Sequence, residues 1–434
     1  ATTFTGAHSG SGANLTNLPA GNLTGALPAI SGANLTGIAA TDNVRTGILD
    51  VAGVSTFRNT MNVGAAVTIS ESGLEATGVG ITVANINGGQ IGGRRNLIIN
   101  GDMGIAQRGT SSTSSGYQTV DRFQTAFDSG LTEAPTLSQV ALTSSDTPYS
   151  LGFRHAFRIT NGNQTSQDVN DYIHVATSLE AQDIASSGWN YTSTSGFITL
   201  SFWVKASTAQ TMYVKVGDSD ASRTFTFAFS ATTSWTRIIK TIPGNSNLVF
   251  NNDNGVGLMI TWVPYYGTSY TTSSHTNDAW NSDDGADQVP DMANTWFSAN
   301  DATFDITGIQ LEVGSQATAF EHRSTAEELK LCQRYCIKLD GLKINARMNG
   351  STNSDGYFTF PTSMRATPSF SSDVSSGKSM EYGSVARTVA NVYGGGSSPE
   401  SAYSRFNISG SGTSGYASYN NLATGSYYLL ESEL

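Results

Sequence analysis

The residues best equipped for chemistry crowd one stretch, Tyr265 to Asp291. It carries Tyr265, Tyr266, Tyr270 and Trp280, with His275 and the aspartates Asp278, Asp283, Asp284, Asp287 and Asp291. Two chemistries use such a set. A glycosidase needs two carboxylates flanking a sugar bond, one of them held protonated. A sugar-binding site needs aromatic rings for the C–H faces of the sugar and short polar side chains for its hydroxyls. The aspartates lie among Asn, Ser and Gly, the composition of a solvated loop, and nothing beside them signals a raised pKa. His155, His174, His275 and His322 show no metal-ligand spacing and no G-x-S-x-G turn. Binding is therefore the better reading, and hydrolysis of the same glycan is its alternative. Trp280 has two roles open to it. It stacks on a sugar, or it is the apolar anchor that a long loop needs.

A second set lies near the C-terminal end. Tyr382, Tyr393, Tyr403, Tyr416 and Tyr419 stand among Gly, Ser and Asn, with Arg387 and Arg405 close by. This is the composition of adaptable recognition loops. It is equally that of ordinary strands, because tyrosine packs well on a pleated surface. The two cysteines, Cys332 and Cys336, are read as reduced and half-buried. A zinc site wants four ligands, and a bridge within one helix turn would distort the backbone.

The elements that must position these residues are mainly strands. Ile198, Leu200, Phe202 and Val204 alternate with polar neighbours, as do Met212, Val214 and Val216, then Phe225, Phe227 and Phe229, then Val256, Leu258, Ile260 and Trp262. Period 2 over several short segments predicts an antiparallel β-sandwich of jelly-roll type, spanning residues 94–322. Phe304 and Ile306 alternate, Gly308 intervenes, and Ile309, Leu311 and Val313 resume out of phase, which predicts a β-bulge. Ser324-Thr-Ala-Glu327 fits a capping box, and Leu329, Cys332 and Tyr335/Cys336 recur at helical spacing. A short helix is expected from near Thr325 to a stop before Asp340-Gly341. It opens a C-terminal domain over 323–434. Stretches such as Gly394-Gly-Gly-Ser-Ser398 leave that domain few core residues, so stability only within a trimer is expected. Residues 1–93 hold only two aromatic residues, Phe4 and Phe57, and repeat Asn-Leu-Thr at Asn14, Asn22 and Asn34. Such short Gly/Pro-separated repeats cannot bury an apolar face alone. With the alternating GILDVAGVSTF, NVGAAVTI and GVGITVANI, they predict an intertwined trimeric β-shaft.

Two phrases carry a family resemblance. Phe304–Cys336 reads FDITGIQLEVGSQATAFEHRSTAEELKLCQRYC, and Asn96–Ser111 reads NLIINGDMGIAQRGTS. In this order and at this distance they resemble the brackets of a domain in tail-fibre proteins of phages that infect cyanobacteria and other aquatic bacteria. GVSTFRNTMNVGAAVTI (Gly53–Ile69) is similar to phrases of such shafts, and FPTSMRATPSF (Phe360–Phe370) to their distal tips. The resemblance covers Asn96 to Lys338 most specifically. It implies a carbohydrate-binding-module-like jelly roll, a small distal β-domain and a homotrimer. It also implies attachment to a bacterial surface polysaccharide or lipopolysaccharide, with a phage tail or baseplate protein as second partner and the virion tail as location. No cofactor is implied. A structural calcium where first and last strands meet would fall to Asp102 and Glu312, hard oxygen ligands of the right type. A purely structural fibre or adaptor is a third reading.

Composition narrows the rest. The net charge is -11 and the only adjacent basic pair is Arg94-Arg95, which argues against nucleic acid. No run of eighteen apolar residues predicts a membrane span. Sequons at Asn14, Asn22, Asn34, Asn163, Asn190, Asn349 and Asn407 are expected by chance in a chain this rich in Asn, Ser and Thr.

Overall fold

The structure, a computed structural model, describes residues 94–341, 343–373, 377–381, 385–410, 412–422 and 425–434, together with 61–63, 67–70 and 73–76. The chain divides into two compact units, Ala1–Thr82 and Val83–Leu434. In the first, β1 (Met61–Val63), β2 (Val67–Ser70) and β3 (Gly73–Ala76) form an antiparallel meander, with Met61 opposite Ile69 and Val67 opposite Ala76. β1 and β2 lie in NVGAAVTI, where alternation predicts strands. The Asn-Leu-Thr repeats and the rest of the expected shaft lie outside the described residues.

The second unit begins with a β-sandwich. Its strands are β4 (Ser111–Ser112), β5 (Gln124–Phe127), β6 (Thr136–Ala141), β7 (His155–Thr160), β8 (Tyr172–Glu180), β9 (Phe197–Ala206) and β10 (Gln210–Asp218). They continue with β11 (Arg223–Ala231), β12 (Thr236–Pro243), β13 (Val256–Tyr266), β14 (Trp280–Ser282) and β15 (Thr303–Val313). Two six-stranded sheets result, β14-β11-β10-β13-β8-β5 and β12-β9-β15-β7-β6-β4. A short helix, α1 (Ala181–Ala185), follows β8. Register explains why these strands cohere. Val214 faces Phe227 on one side and Trp262 on the other, and Val216 faces Phe225 and Ile260. A one-residue slip would turn every one of these side chains to solvent. Ile198, Leu200, Phe202 and Val204 bring the opposite sheet into the same buried core. The expected jelly-roll sandwich is thus present.

The bulge at Gly308 is present too. The pairing of β15 with β9 jumps between Thr307 and Gln310, and Gly308 takes φ +62°. A side chain there would press into Phe153 and Trp203. The entry segment Leu97–Asn100 lies against β15 as expected but forms no strand. The Asn96 side chain takes over the ladder, donating to the Ile309 carbonyl at 3.0 Å and accepting from Leu311 N–H at 3.0 Å.

The C-terminal part starts with α2 (Thr325–Cys332), whose N-cap Ser324 accepts from the Glu327 amide. The Glu327 side chain leaves the box and pairs with Arg94 instead. The helix is shorter than the periodicity predicts. Cys336 opens β16 (Cys336–Asp340), so the two buried cysteines do not share a helix face. Tyr335 is pulled out of the helix because its hydroxyl donates to Glu180 at 2.6 Å and its ring covers the Arg122 guanidinium at 3.5 Å. Then come β17 (Lys343–Met348), β18 (Asn353–Thr359), β19 (Ser369–Asp373), β20 (Gly377–Glu381), β21 (Val385–Ser398), β22 (Ser401–Ile408), β23 (Ala417–Leu422) and β24 (Tyr427–Glu431). Strands β17-β18-β22-β21-β20-β23 close a barrel, and β16-β24-β19 form a three-stranded sheet.

Few core residues were expected here, and among the described residues the core of this part is much smaller than that of the sandwich. Ile344, Met348, Met364, Phe406, Tyr428 and Leu430 are buried together within one chain. The glycines are part of the packing. A Cβ on Gly394 would sit 2.5 Å from the Phe370 ring, and one on Gly396 would sit 2.6 Å from the Pro368 carbonyl. The Gly/Ser stretch is therefore strand β21, thinned so that the β19 segment can lie on it.

The sandwich is joined by charge to the C-terminal part, at β24 and the segment before β16. Arg108 bonds Glu431 at 2.7 Å and Glu433 at 2.9 Å, and buried Arg122 pairs with Glu433. Arg334 grips buried Glu180 with two bonds of 2.6 and 2.7 Å.

Candidate functional site

The stretch after β13 folds across the outer face of the β14-β11-β10-β13-β8-β5 sheet. It is stitched down at several points. Strand β14 adds to the sheet edge with Trp280 opposite Phe225, and Thr271 bridges Val289. Trp296 is fully buried and donates to the Thr303 carbonyl at 3.0 Å, and Phe297 stacks on Tyr265 at 4.1 Å. The segment is thus tied to the sandwich at both ends and in its middle.

Between this segment and the sheet lies a cleft of about 270 Å³, lined by Ala126, Tyr172, His174, Tyr266, Tyr270 and Gln288. That is near the lower end of small-ligand clefts, about 300–1,000 Å³. Tyr172 and His174 stand on β8, two residues apart, and so share its outward face. Their rings stack with centroids 5.7 Å apart. Tyr270 meets Tyr172 edge-on at 5.6 Å. The Tyr266 hydroxyl lies 3.0 Å from His174 Nδ1. Burial, with the nearby Lys215 cation, pushes the His174 pKa down to about 4, so the imidazole is neutral at pH 7. Burial pushes the Tyr266 hydroxyl far up. The Gln288 amide bonds Lys215 Nζ at 2.5 Å and the Gly285 carbonyl at 2.9 Å. Tyr172 and Tyr270 are half-buried and turn part of their rings to the cleft, while neutral polar groups line it beside them.

The residues singled out from the sequence do not form one site. Tyr266 and Tyr270 line the cleft. Tyr265 is only 1% exposed, under Phe297, and offers no stacking surface. Trp280 is the anchor of its loop: it packs on the core 5.6 Å from Phe225, and its indole N–H donates to the Pro243 carbonyl at 2.7 Å. Tyr393 and Tyr403 lie on adjacent strands β21 and β22 of the barrel. Tyr416 and Tyr419 belong to β23 and its approach, and β23 stands opposite β22 in the ring of six strands. The tyrosine cluster in the sequence is therefore two surfaces, and Tyr382 lies outside the described residues. Tyr172, His174 and Gln288 were not singled out as a site, since only the tertiary fold brings them to Tyr270. Tyr357 was also missed, although the alternation Tyr357-Phe-Thr-Phe360 puts it on the outward face of β18, where it is 70% exposed.

The acidic residues are engaged locally. Asp287 accepts from Thr272 at 2.9 Å and lies 2.8 Å from His275 Nδ1. Burial opposes its charge, but these partners outweigh that and hold its carboxyl below the usual range. Asp278 pairs with Lys240 at 2.5 Å, Asp283 accepts from Thr224, Asp284 from the Ala286 amide, and Asp291 from Thr271. Of the calcium candidates, Glu312 is buried and accepts from Gln310 and Thr318. Asp102 caps the Gly104 amide at 3.2 Å. Among the described residues no three His, Cys, Asp or Glu side chains group as metal ligands.

No protein-family model matches the chain, and no curated protein does. Solved structures give faint likenesses. The enzymatically active domain of tailspike protein 4 of bacteriophage CBA120 aligns over 50% of this chain and 21% of its own, with 9% identity and a TM-score of 0.27. This chain thus spans about a fifth of that tailspike. A family 11 carbohydrate-binding module of Clostridium thermocellum aligns over 49% of this chain and 98% of its own, with 12% identity and a TM-score of 0.23. The module TmCBM61, solved with β-1,4-galactotriose, aligns over 51% and 99%, with 10% identity and a TM-score of 0.23.

Proposed function

We propose that this protein is a non-hydrolytic, glycan-binding adhesion protein, the receptor-binding part of a phage tail fibre that attaches to a bacterial surface polysaccharide or lipopolysaccharide. The observation that carries the binding half is the cleft walled by Tyr172 and Tyr270, with neutral His174 and the Gln288 amide beside them. Rings of this kind take the C–H face of a sugar, and neutral donors and acceptors take its hydroxyls without asking for charge. The fibre half rests on the two phrases that bracket the sandwich. In this reading residues 1–93 form a trimeric shaft, and three weak sites per fibre raise avidity without a tight single site. A phage tail or baseplate protein holds the other end.

The test is a panel of purified bacterial surface polysaccharides in affinity electrophoresis, with polymer length followed on the same samples. Retardation of the protein with no shortening of the polymer is expected, and Tyr172→Ala with Tyr270→Ala should weaken it. Shortening of the polymer would replace this reading with a depolymerase. Failure to bind any surface glycan would leave the structural fibre. Light scattering on the full chain and on a chain starting at Arg94 tests the shaft. A trimer that depends on residues 1–93 is expected, and a monomer in both would end the shaft reading.

A further inference from the structure

We propose a second glycan site, for a chain of neutral sugars, on the outer face of the barrel where β18, β22 and β21 lie side by side. It rests on the same adhesion reading but on different residues. The register sets out a small grid. Asp355, Arg405 and Tyr393 form one row across the three strands, and Tyr357, Tyr403 and Gly395 form the next. Tyr357 and Tyr393 are 70% and 53% exposed. The Tyr357 and Tyr403 rings are 5.2 Å apart, and the Arg405 guanidinium lies 5.6 Å over Tyr403. Arg405 grips Asp355 with bonds of 2.7 and 2.9 Å, and Asn349 donates to the same carboxylate at 2.7 Å. Gly395, beside Tyr403, leaves open space where a side chain would stand. The gap is a flat berth next to a ring.

The chemistry of this face selects its occupant. The rings spread over three strands, roughly 10 Å at strand spacing, so they suit a chain more than one sugar unit. A bidentate Arg–carboxylate pair presents fixed donors and acceptors together, which is what a row of hydroxyls needs. Its charges cancel, so it does not select for an anion. A protein partner would also use tyrosine and arginine, so the oligomer and binding readouts below separate it from a glycan. The Tyr403 hydroxyl itself is buried, so Tyr403 contributes to this face through its ring and its contact with Tyr357.

The experiment is an array of neutral polysaccharides (a mannan, a galactan and a mixed-linkage glucan) and acidic ones (an alginate and a polygalacturonate), probed with the full chain. Three variants accompany it: Tyr357→Ala with Tyr393→Ala, Arg405→Lys, and the cleft pair Tyr172→Ala with Tyr270→Ala. Each is checked for an unchanged melting temperature and mass. The barrel pair should weaken binding to a neutral polysaccharide about tenfold, the effect of two lost stacking contacts. Arg405→Lys should weaken it in the same direction, and Tyr357→Trp should restore it. Weakening on the barrel pair upholds this site: weakening on the cleft pair as well keeps both surfaces, and binding intact on the cleft pair rejects the cleft. Loss on the cleft pair alone rejects this site and keeps the cleft. Binding confined to the acidic polymers rejects the neutral class. Dissociation of an oligomer by the barrel pair, with polysaccharide binding unchanged, would make the face a contact between copies and overturn the proposal.

Discussion

Replacing Trp280 by alanine should loosen the fold and leave binding alone. The indole packs against Phe225 at the edge of the core and donates to the Pro243 carbonyl at 2.7 Å, but it does not line the cleft. Truncating a fully buried Trp or Phe removes about 3–5 kcal/mol. Trp280 is half-buried, which brings the packing loss to roughly 2 kcal/mol. The unmatched Pro243 carbonyl adds about 1 kcal/mol. A destabilisation on the order of 3 kcal/mol, in a unit larger than the 150–250 residues for which about 2–4 °C per kcal/mol holds, corresponds to a fall of roughly 5 °C. Calorimetry of the full chain reads that shift, and affinity electrophoresis on a bound polysaccharide should change less than about twofold, well under 1 kcal/mol. An unchanged melting temperature together with lost binding would refute the reasoning. It would make Trp280 a stacking platform.

Two further outcomes are expected. Glu180→Ala leaves Arg334, Tyr335 and Gln182 without the carboxylate they share, so it should destabilise the joint by about 3–5 kcal/mol in chemical denaturation, far more than a surface pair would. Asp121 is buried beside Arg108 and Gln107, and burial raises its pKa to about 6 from an ordinary 3.8. The folded chain therefore holds this proton more tightly than the unfolded chain. Its contribution is fully present below about pH 4 and is lost as pH rises through 6, on the order of 3 kcal/mol in all. Asp121→Asn removes that loss, so the variant should gain stability relative to the wild type between pH 4 and pH 7. Parallel denaturation curves across that range would contradict the assignment.

What could be read from the sequence was local in period. Phe225, Phe227 and Phe229 alternate because one sheet face is buried, and the strand around them formed where the alternation lay. The phase slip at Gly308 marked a real bulge because only a residue tolerant of positive φ, and too small to strike Phe153, could stand there. The cleft could not be read the same way. Tyr172 and Tyr270 are nearly a hundred positions apart, and only the fold of the loop over the sheet brings them together. Tyr403 and Tyr419 are close in the chain but on opposing strands of a closed barrel, which composition does not register. Gly394 looked like slack for the related reason that its purpose, room for Phe370, lies in another strand.

The joint between the sandwich and the C-terminal part bears on how two weak sugar sites would act. A loosely packed apolar seam could slide, whereas a close-packed one could not. A seam built from Arg108, Arg122 and Arg334 against Glu431, Glu433 and Glu180 cannot either, because a small shift would leave a buried charge unpaired. These contacts tie the sandwich to the β16-β24-β19 sheet, whose Tyr428 and Leu430 share a core with the barrel, and so limit how far the cleft and the barrel face can move apart. Once one surface holds a polysaccharide, the position of the other is set by geometry and not by a flexible tether. A stiff glycan of matching shape gains from both surfaces, while one of the wrong curvature gains from one only. In this design the joint carries part of the selectivity, so loosening it through Glu180→Ala should lower discrimination between polysaccharides before it abolishes binding to any of them.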